Sequence, residues 1–185
     1  MRYNFFKSLS FTLSMEGGWS DDPQDPGGCT MKGITLETYS EWCSNTGLPP
    51  PTSKDLRDIP DALVEALYRS LYWSTIQGDE LPDGIDLSVF DFAVNTGPSR
   101  SADLLQKAVG LTGPSNDSVI GPITLAAVER QSPFLVIASL ADTQESYYRS
   151  LSDFSVFGRG WLARTQQRRS AAMALVSGRA VPTNT

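Results

Sequence analysis

Apolar residues in this chain return every three or four positions and almost never every second one, which commits it to helices. Phe6, Leu9 and Leu13 repeat this way near the N-terminus, Leu63, Leu67 and Leu71 in the middle, and Ala102, Leu105 and Val109 further on. Glycine and proline cut the pattern into short pieces. The spacing predicts helices over 3–15, over 36–45 behind a Thr35 cap, and over 61–77 behind Asp61. Another starts after Asp86, carries Val89, Phe90, Ala93 and Val94, and stops at Gly97-Pro98. Ala102 to Val109 form the next, ended by Gly110. Pro122 opens a short helix to about Arg130 and Pro133 a longer one to about Leu151, each proline standing where a first turn tolerates it. A last helix follows Gly158 and Gly160, with Trp161, Thr165, Arg169, Ala172 and Val176 on one face. The expectation is an all-α fold of seven or eight helices. At most a small β-hairpin is expected near residues 27–36, where Gly27-Gly28 and Gly33 allow unusual backbone angles.

A chain of 185 residues suits one domain, or one with a small appended lobe. Pro82-Asp83-Gly84 marks a soft boundary between a catalytic region, 1–83, and a helical region, 84–178, leaving 179–185 as a frayed tail.

The densest chemistry lies between residues 16 and 35. Glu16 closes the first helical pattern, and a turn-rich stretch then supplies a second carboxylate, Asp25, and a hydroxyl, Thr30. An acid held rigidly by a helix, a carboxylate able to act as base and a water-holding hydroxyl are the parts that cut a glycosidic bond. The chain has no histidine. That removes Ser-His-Asp and Cys-His catalysis and the usual zinc hydrolase ligand sets. Cys29 and Cys43 are too few for a four-cysteine metal site and read as two free thiols, with a single disulfide as the alternative. Hydrolysis here falls to carboxylates.

A net charge of −6 argues against nucleic acid as a partner. The N-terminal stretch resembles a signal peptide only superficially, because Lys7 and the serines at 8, 10 and 14 interrupt it and no small-residue cleavage site follows. No segment approaches the roughly 18 apolar residues of a membrane span. The reading is a protein made in the cytoplasm without its own export signal.

The motifs Glu16-Gly17-Gly18-Trp19, Asp25-Pro26-Gly27-Gly28-Cys29-Thr30 and Gly33-Ile34-Thr35 resemble the glycoside hydrolase 108 muramidases, found as phage endolysins and bacterial cell-wall hydrolases. The runs 89–97, Leu104-Leu105-Gln106, 120–124 and 160–164 resemble the helical peptidoglycan-binding-type region that accompanies them, so the likeness spans about residues 5–175. The spacing of Glu16, Asp25 and Thr30 is also similar to that of phage T4-type lysozymes. Trp19 stands where tyrosine is common, Lys32 where an aromatic is often seen, and Asn116-Asp117-Ser118 replaces an acidic-glycine turn.

The resemblance implies a mostly helical lysozyme-like fold and cleavage of the β-1,4 bond between N-acetylmuramic acid and N-acetylglucosamine. Glu16 is then the general acid, its pKa raised by a helix C-terminus and by partial burial. Asp25 is the base or electrostatic partner, with Thr30 holding water. Asp21 and Asp22 are rivals for the second role, and an Asx turn before Pro26 is the structural alternative for Asp25. Trp19, Tyr72 and Trp73 offer flat faces to sugar rings, although Tyr72 and Trp73 at a helix end also suit a core. Asn95 and Gln106 have amides suited to N-acetyl groups or to internal hydrogen bonds. Trp161 reads as core, and Arg164, Arg168 and Arg169 as a solvated face with a lesser option of touching stem-peptide carboxylates.

No metal or organic cofactor is implied. The expected partner is the glycan of bacterial peptidoglycan, reached by a monomer that needs a holin lesion or a secretion apparatus to act in the periplasm or wall and lyse the cell. A lytic transglycosylase using Glu16 alone and a non-catalytic wall-binding protein are the competing expectations.

Overall fold

The computed structural model describes residues 2–21 and 28–178. Helix α5 (Ile85–Thr96) occupies the centre, and Ile85 through Ala93 are buried without a break. A helix apolar on every side belongs in an interior. This one also carries Asp86 and Asp91, and a buried carboxylate requires partners. Helix α1 (Arg2–Met15) supplies some of them. The Asn4 amide donates to Asp83 and Asp86, each at 2.8 Å, and the Thr12 hydroxyl donates to Asp91 at 3.0 Å. Asn4 reaches Asp86 at the start of α5 and Thr12 reaches Asp91 further along it, so α1 and α5 run parallel. Phe5 and Leu9 bury the rest of that face, Phe5 edge-on to Phe90 and Trp73.

Helix α6 (Pro98–Ala108) packs back on α5, where the buried Ser101 hydroxyl donates to the Val89 carbonyl at 2.7 Å. After the short α7 (Pro122–Glu129), helices α8 (Pro133–Arg149) and α9 (Phe154–Val176) form an antiparallel pair. Tyr148 stacks on Trp161 with ring centres 5.2 Å apart, and Gln144 accepts from Arg168 at 2.8 Å. The α9 helix begins before the two glycines expected to precede it. Gly158 lies inside because the Phe154 ring covers it, and a Cβ there would come within 2.6 Å of that ring. Its inward face is also rotated from the expected one. Thr165, Arg168, Ala171, Ala172 and Leu175 are buried, while Arg169 and Val176 are only partly so.

In the N-terminal part, β1 (Thr30–Met31) and β2 (Ile34–Thr35) pair antiparallel. Lys32 and Gly33 between them have φ of 51° and 76°, the two positive angles of a type I′ hairpin turn. Thr35 then caps α2 (Leu36–Thr46), accepting from the Thr38 amide at 3.1 Å. The sequence reading missed α3 (Ser53–Arg57), five residues started by a capping box between Thr52 and Asp55. The α4 helix (Asp61–Tyr68) is shorter than the expected 61–77. It passes into a π-helical turn over Arg69–Trp73, where the Ser74 amide donates to the Arg69 carbonyl at 2.9 Å. The wider turn rotates the chain by part of a residue. Trp73 is thereby driven into the core while Tyr72 keeps one side exposed.

The two halves meet closely at the soft boundary. A Cβ on Gly84 would come within 2.3 Å of the Ala172 carbonyl oxygen on α9. Cys29 and Cys43 are buried and form no disulfide. Among the described residues no single helix is long and apolar enough to cross a membrane.

Candidate active site

Glu16 is the first residue beyond α1, and its amide still donates to the Thr12 carbonyl at 3.2 Å. The helix therefore fixes its backbone while the side chain leaves the helical path. The side chain is 18% exposed, and Oε1 accepts from Nη2 of Arg164 at 2.9 Å. The hairpin turn closes one side, because a Cβ on Gly33 would stand 2.9 Å from Oε2. The phenols of Tyr68 and Tyr72 lie within the reach of the same charge. Burial, and then the Glu16 carboxylate, push both above the ordinary tyrosine range, so both rings stay neutral. The Tyr68 hydroxyl donates to the Lys32 carbonyl at 2.7 Å and pins the hairpin turn against Glu16.

Behind Arg164 lies a buried charge cluster. Asp91 has no exposed surface and takes Arg164 at 2.7 Å on Oδ1 and Arg168 at 2.7 Å on Oδ2. Its complete burial opposes ionisation, but the two guanidiniums outweigh it and hold the carboxyl below the usual carboxylate range. The Arg164 guanidinium is raised further by Asp91 and then Glu16, against the cost of its own burial. Two carboxylates thus face two guanidiniums, and the charges cancel. This corrects the reading of Arg164 and Arg168 as a solvated face, since their side chains are 15% and 1% exposed. The pair stands one helical turn apart, and both turn toward Asp91. An acid inside the apolar run 85–94 was the sequence signal that a cation had to come from elsewhere. Sequence reasoning named neither Asp91 nor Tyr68 nor the role of Gly33.

Thr30 is half-buried on β1, and its backbone exchanges hydrogen bonds of 2.8 and 2.9 Å with Ser20. That bridge ties the turn after Glu16 to the hairpin. Trp19, within this turn, is half-buried with the Arg57 guanidinium 5.7 Å from its ring centre. Asn95 is exposed near the end of α5. The parallel run of α1 and α5 puts it toward the same end of the helix pair as Glu16. Trp73 and Gln106 lie elsewhere. Trp73 has no exposed surface and packs on Phe5 and Phe90 at 5.4 and 5.5 Å, so it presents no face to a sugar. Gln106 is 1% exposed. Its amide nitrogen sits 2.8 Å from Asp117, 3.0 Å from the Val119 carbonyl and 3.0 Å from Thr124, and its oxygen accepts from the Ser118 amide. It fastens the 117–119 loop to α6. Of the carboxylates near Glu16 in sequence, Asp21 is exposed, whereas Asp22 and Asp25 lie outside the described residues.

The family model described as Glycosyl hydrolase 108 matches residues 9–97, the stretch running from α1 through the hairpin to the end of α5. The solved structure of Brucella abortus SagA is similar to this chain at 38% identity, with a TM-score of 0.82, over 95% of this chain and 97% of that one. No curated protein sequence matches. The mostly helical, lysozyme-like fold and these two matches make the chain a glycoside hydrolase that acts on peptidoglycan. The chain belongs to the glycosyl hydrolase 108 family.

Proposed function

We propose that this enzyme is an N-acetylmuramidase that cleaves the β-1,4 bond between N-acetylmuramic acid and N-acetylglucosamine with Glu16 as general acid. The observation that carries the reading is the setting of Glu16. A helix end fixes it, Gly33 closes one side, and the carboxylate is partly open to solvent with Arg164 at 2.9 Å. As the Glu16 proton passes to the leaving oxygen, negative charge grows on the carboxylate. Arg164 already points at it, and Asp91 and Arg168 hold that guanidinium in place, so no reorganisation is needed. Asp25 takes the proton of the attacking water, which Thr30 helps hold, and the outcome is inversion. Tyr72 and Trp19 offer ring faces to the glycan. The Asn95 amide, exposed toward the same end of the helix pair as Glu16, suits an N-acetyl group.

The same reading makes the protein a monomeric endolysin or related lytic effector. It is made in the cytoplasm and reaches the wall through a holin lesion or a secretion apparatus. The test is purified Glu16→Gln against wild type on isolated peptidoglycan, with the fold checked by circular dichroism. Loss of reducing-end release is expected, and wild-type products with ordinary reducing muramic acid ends. Comparable hydrolysis by the variant overturns the assignment. Anhydro-muramic ends in the products replace it with lytic transglycosylase chemistry.

A further inference from the structure

Beyond the reacting carboxylates, one groove carries charge of the wrong sign for this chain. It has a volume of about 520 Å³ and is lined by Trp19, Ser53, Lys54, Arg57 and Asp58. Trp19 forms one wall, three positions after Glu16 and held by the Ser20–Thr30 bridge. The α3 helix, which packs across β1, forms the other. The whole chain has a net charge of −6, yet this groove is cationic. Asp55 is turned away, its Oδ2 occupied by the amide and hydroxyl of Thr52 at 2.8 and 2.6 Å. Asp58 lies 3.7 Å from Lys54 and offsets it. Arg57 remains, exposed and over the Trp19 ring, and among the described residues no carboxylate pairs with it.

We propose that this groove binds a carboxylate of the peptide stem carried by the muramic acid residues, with Arg57 as the anion-recognising side chain and Lys54 in support. The proposal rests on the muramidase reading and extends it to a specificity determinant. A neutral glycan offers a guanidinium beside an indole no counter-charge, whereas a peptidyl carboxylate accepts its two parallel N–H groups. The indole face meanwhile packs on the sugar or on the apolar part of the stem. A site one short turn from the acid puts the side branch in Arg57's reach while the glycosidic bond lies at Glu16. A chain that repels an anionic polymer overall needs such a local attraction to hold it.

The test compares wild type, Arg57→Ala, the double variant Lys54→Ala/Arg57→Ala, and Arg57→Lys. The substrates are soluble peptidoglycan fragments and the same fragments with their carboxylates amidated by carbodiimide coupling. On native fragments the alanine variants should raise KM by about fivefold to tenfold with kcat unchanged, and Arg57→Lys should recover part of it. On amidated fragments wild type should rise to the variants' KM, and the variants should not change. Both side chains replaced lie on the exposed face of α3, so folding is preserved, with circular dichroism as the check. Equal KM values for wild type and both alanine variants on native fragments overturn the proposal, as does an undiminished variant defect on amidated ones. If wild type releases no reducing ends from either substrate, the muramidase reading fails along with it.

Discussion

Gly33→Ala separates placement of the acid from stability of the fold. The added methyl would stand 2.9 Å from Oε2 of Glu16 and 3.1 Å from both Cδ and Cγ. Ordinary contact begins near 3.4 Å, so the carboxylate must retreat by about half an ångström, away from the hairpin and against the Arg164 bond. A displacement of 1 Å costs about a hundredfold in rate, so half of that predicts roughly a tenfold loss of kcat. Gly33 also has φ of 76°, where a side chain costs about 1–2 kcal/mol. That second cost needs its own control. Gly47, the cap of α2, has φ of 74° and open space around it, so Gly47→Ala carries the backbone strain without touching Glu16. Urea unfolding should show both variants destabilised by similar amounts. Initial rates of reducing-end release at saturating substrate should fall for Gly33→Ala only. Equal kcat for the two variants would refute the claim that the hairpin turn positions the acid.

Asp91→Asn removes the shared anion of Arg164 and Arg168 and leaves a fully buried guanidinium without its counter-charge. Breaking such a pair costs about 3–5 kcal/mol, a fall in Tm of roughly 6–20 °C for a chain of this size, readable by calorimetry. An unchanged Tm would show that the cluster does not support the fold. Asp86 gives a pH signature. Burial pushes its carboxyl up to about 6 despite the Asn4 amide and two backbone amides that favour the charge. The folded state therefore holds the proton more tightly than the unfolded chain. The stability from this site is fully present below about pH 4 and is lost as pH rises through about 6, in total roughly 3 kcal/mol. The difference in unfolding free energy between wild type and Asp86→Asn, measured from pH 4 to pH 7, should shift by that amount against wild type. A flat difference sinks the assignment.

Local signals carried well into the structure, and long-range ones did not. Glu16 at the end of a helix, the hairpin around Lys32-Gly33 and the Thr35 cap all depend on neighbours within a few positions, which a sequence displays. Proline-opened α7 and α8 were legible for the same reason. Arg164 was not, because its meaning depends on Glu16, 148 positions away, and on Asp91, 73 away. On helical spacing alone, Arg168 and Arg169 were equally good candidates for the inward face. Only the position of Asp91 decides between them. For Tyr72 and Trp73 the sequence left core and sugar contact both open, and the π turn, which leaves no apolar pattern of its own, sends Trp73 to the core. Gln106 has an amide suited to sugars, but it is itself buried, and the 117–119 loop satisfies both ends of that amide.

The reach of Arg164 across the chain has a consequence in time. The family match ends at residue 97, but the guanidinium that meets the acid arrives with α9. A nascent chain still lacking that helix carries a glutamate without its cation and an Asp91 that cannot yet be buried cheaply. On the muramidase reading the site is therefore complete only once α9 has left the ribosome, and a fragment cut after α5 carries the motif without its cation.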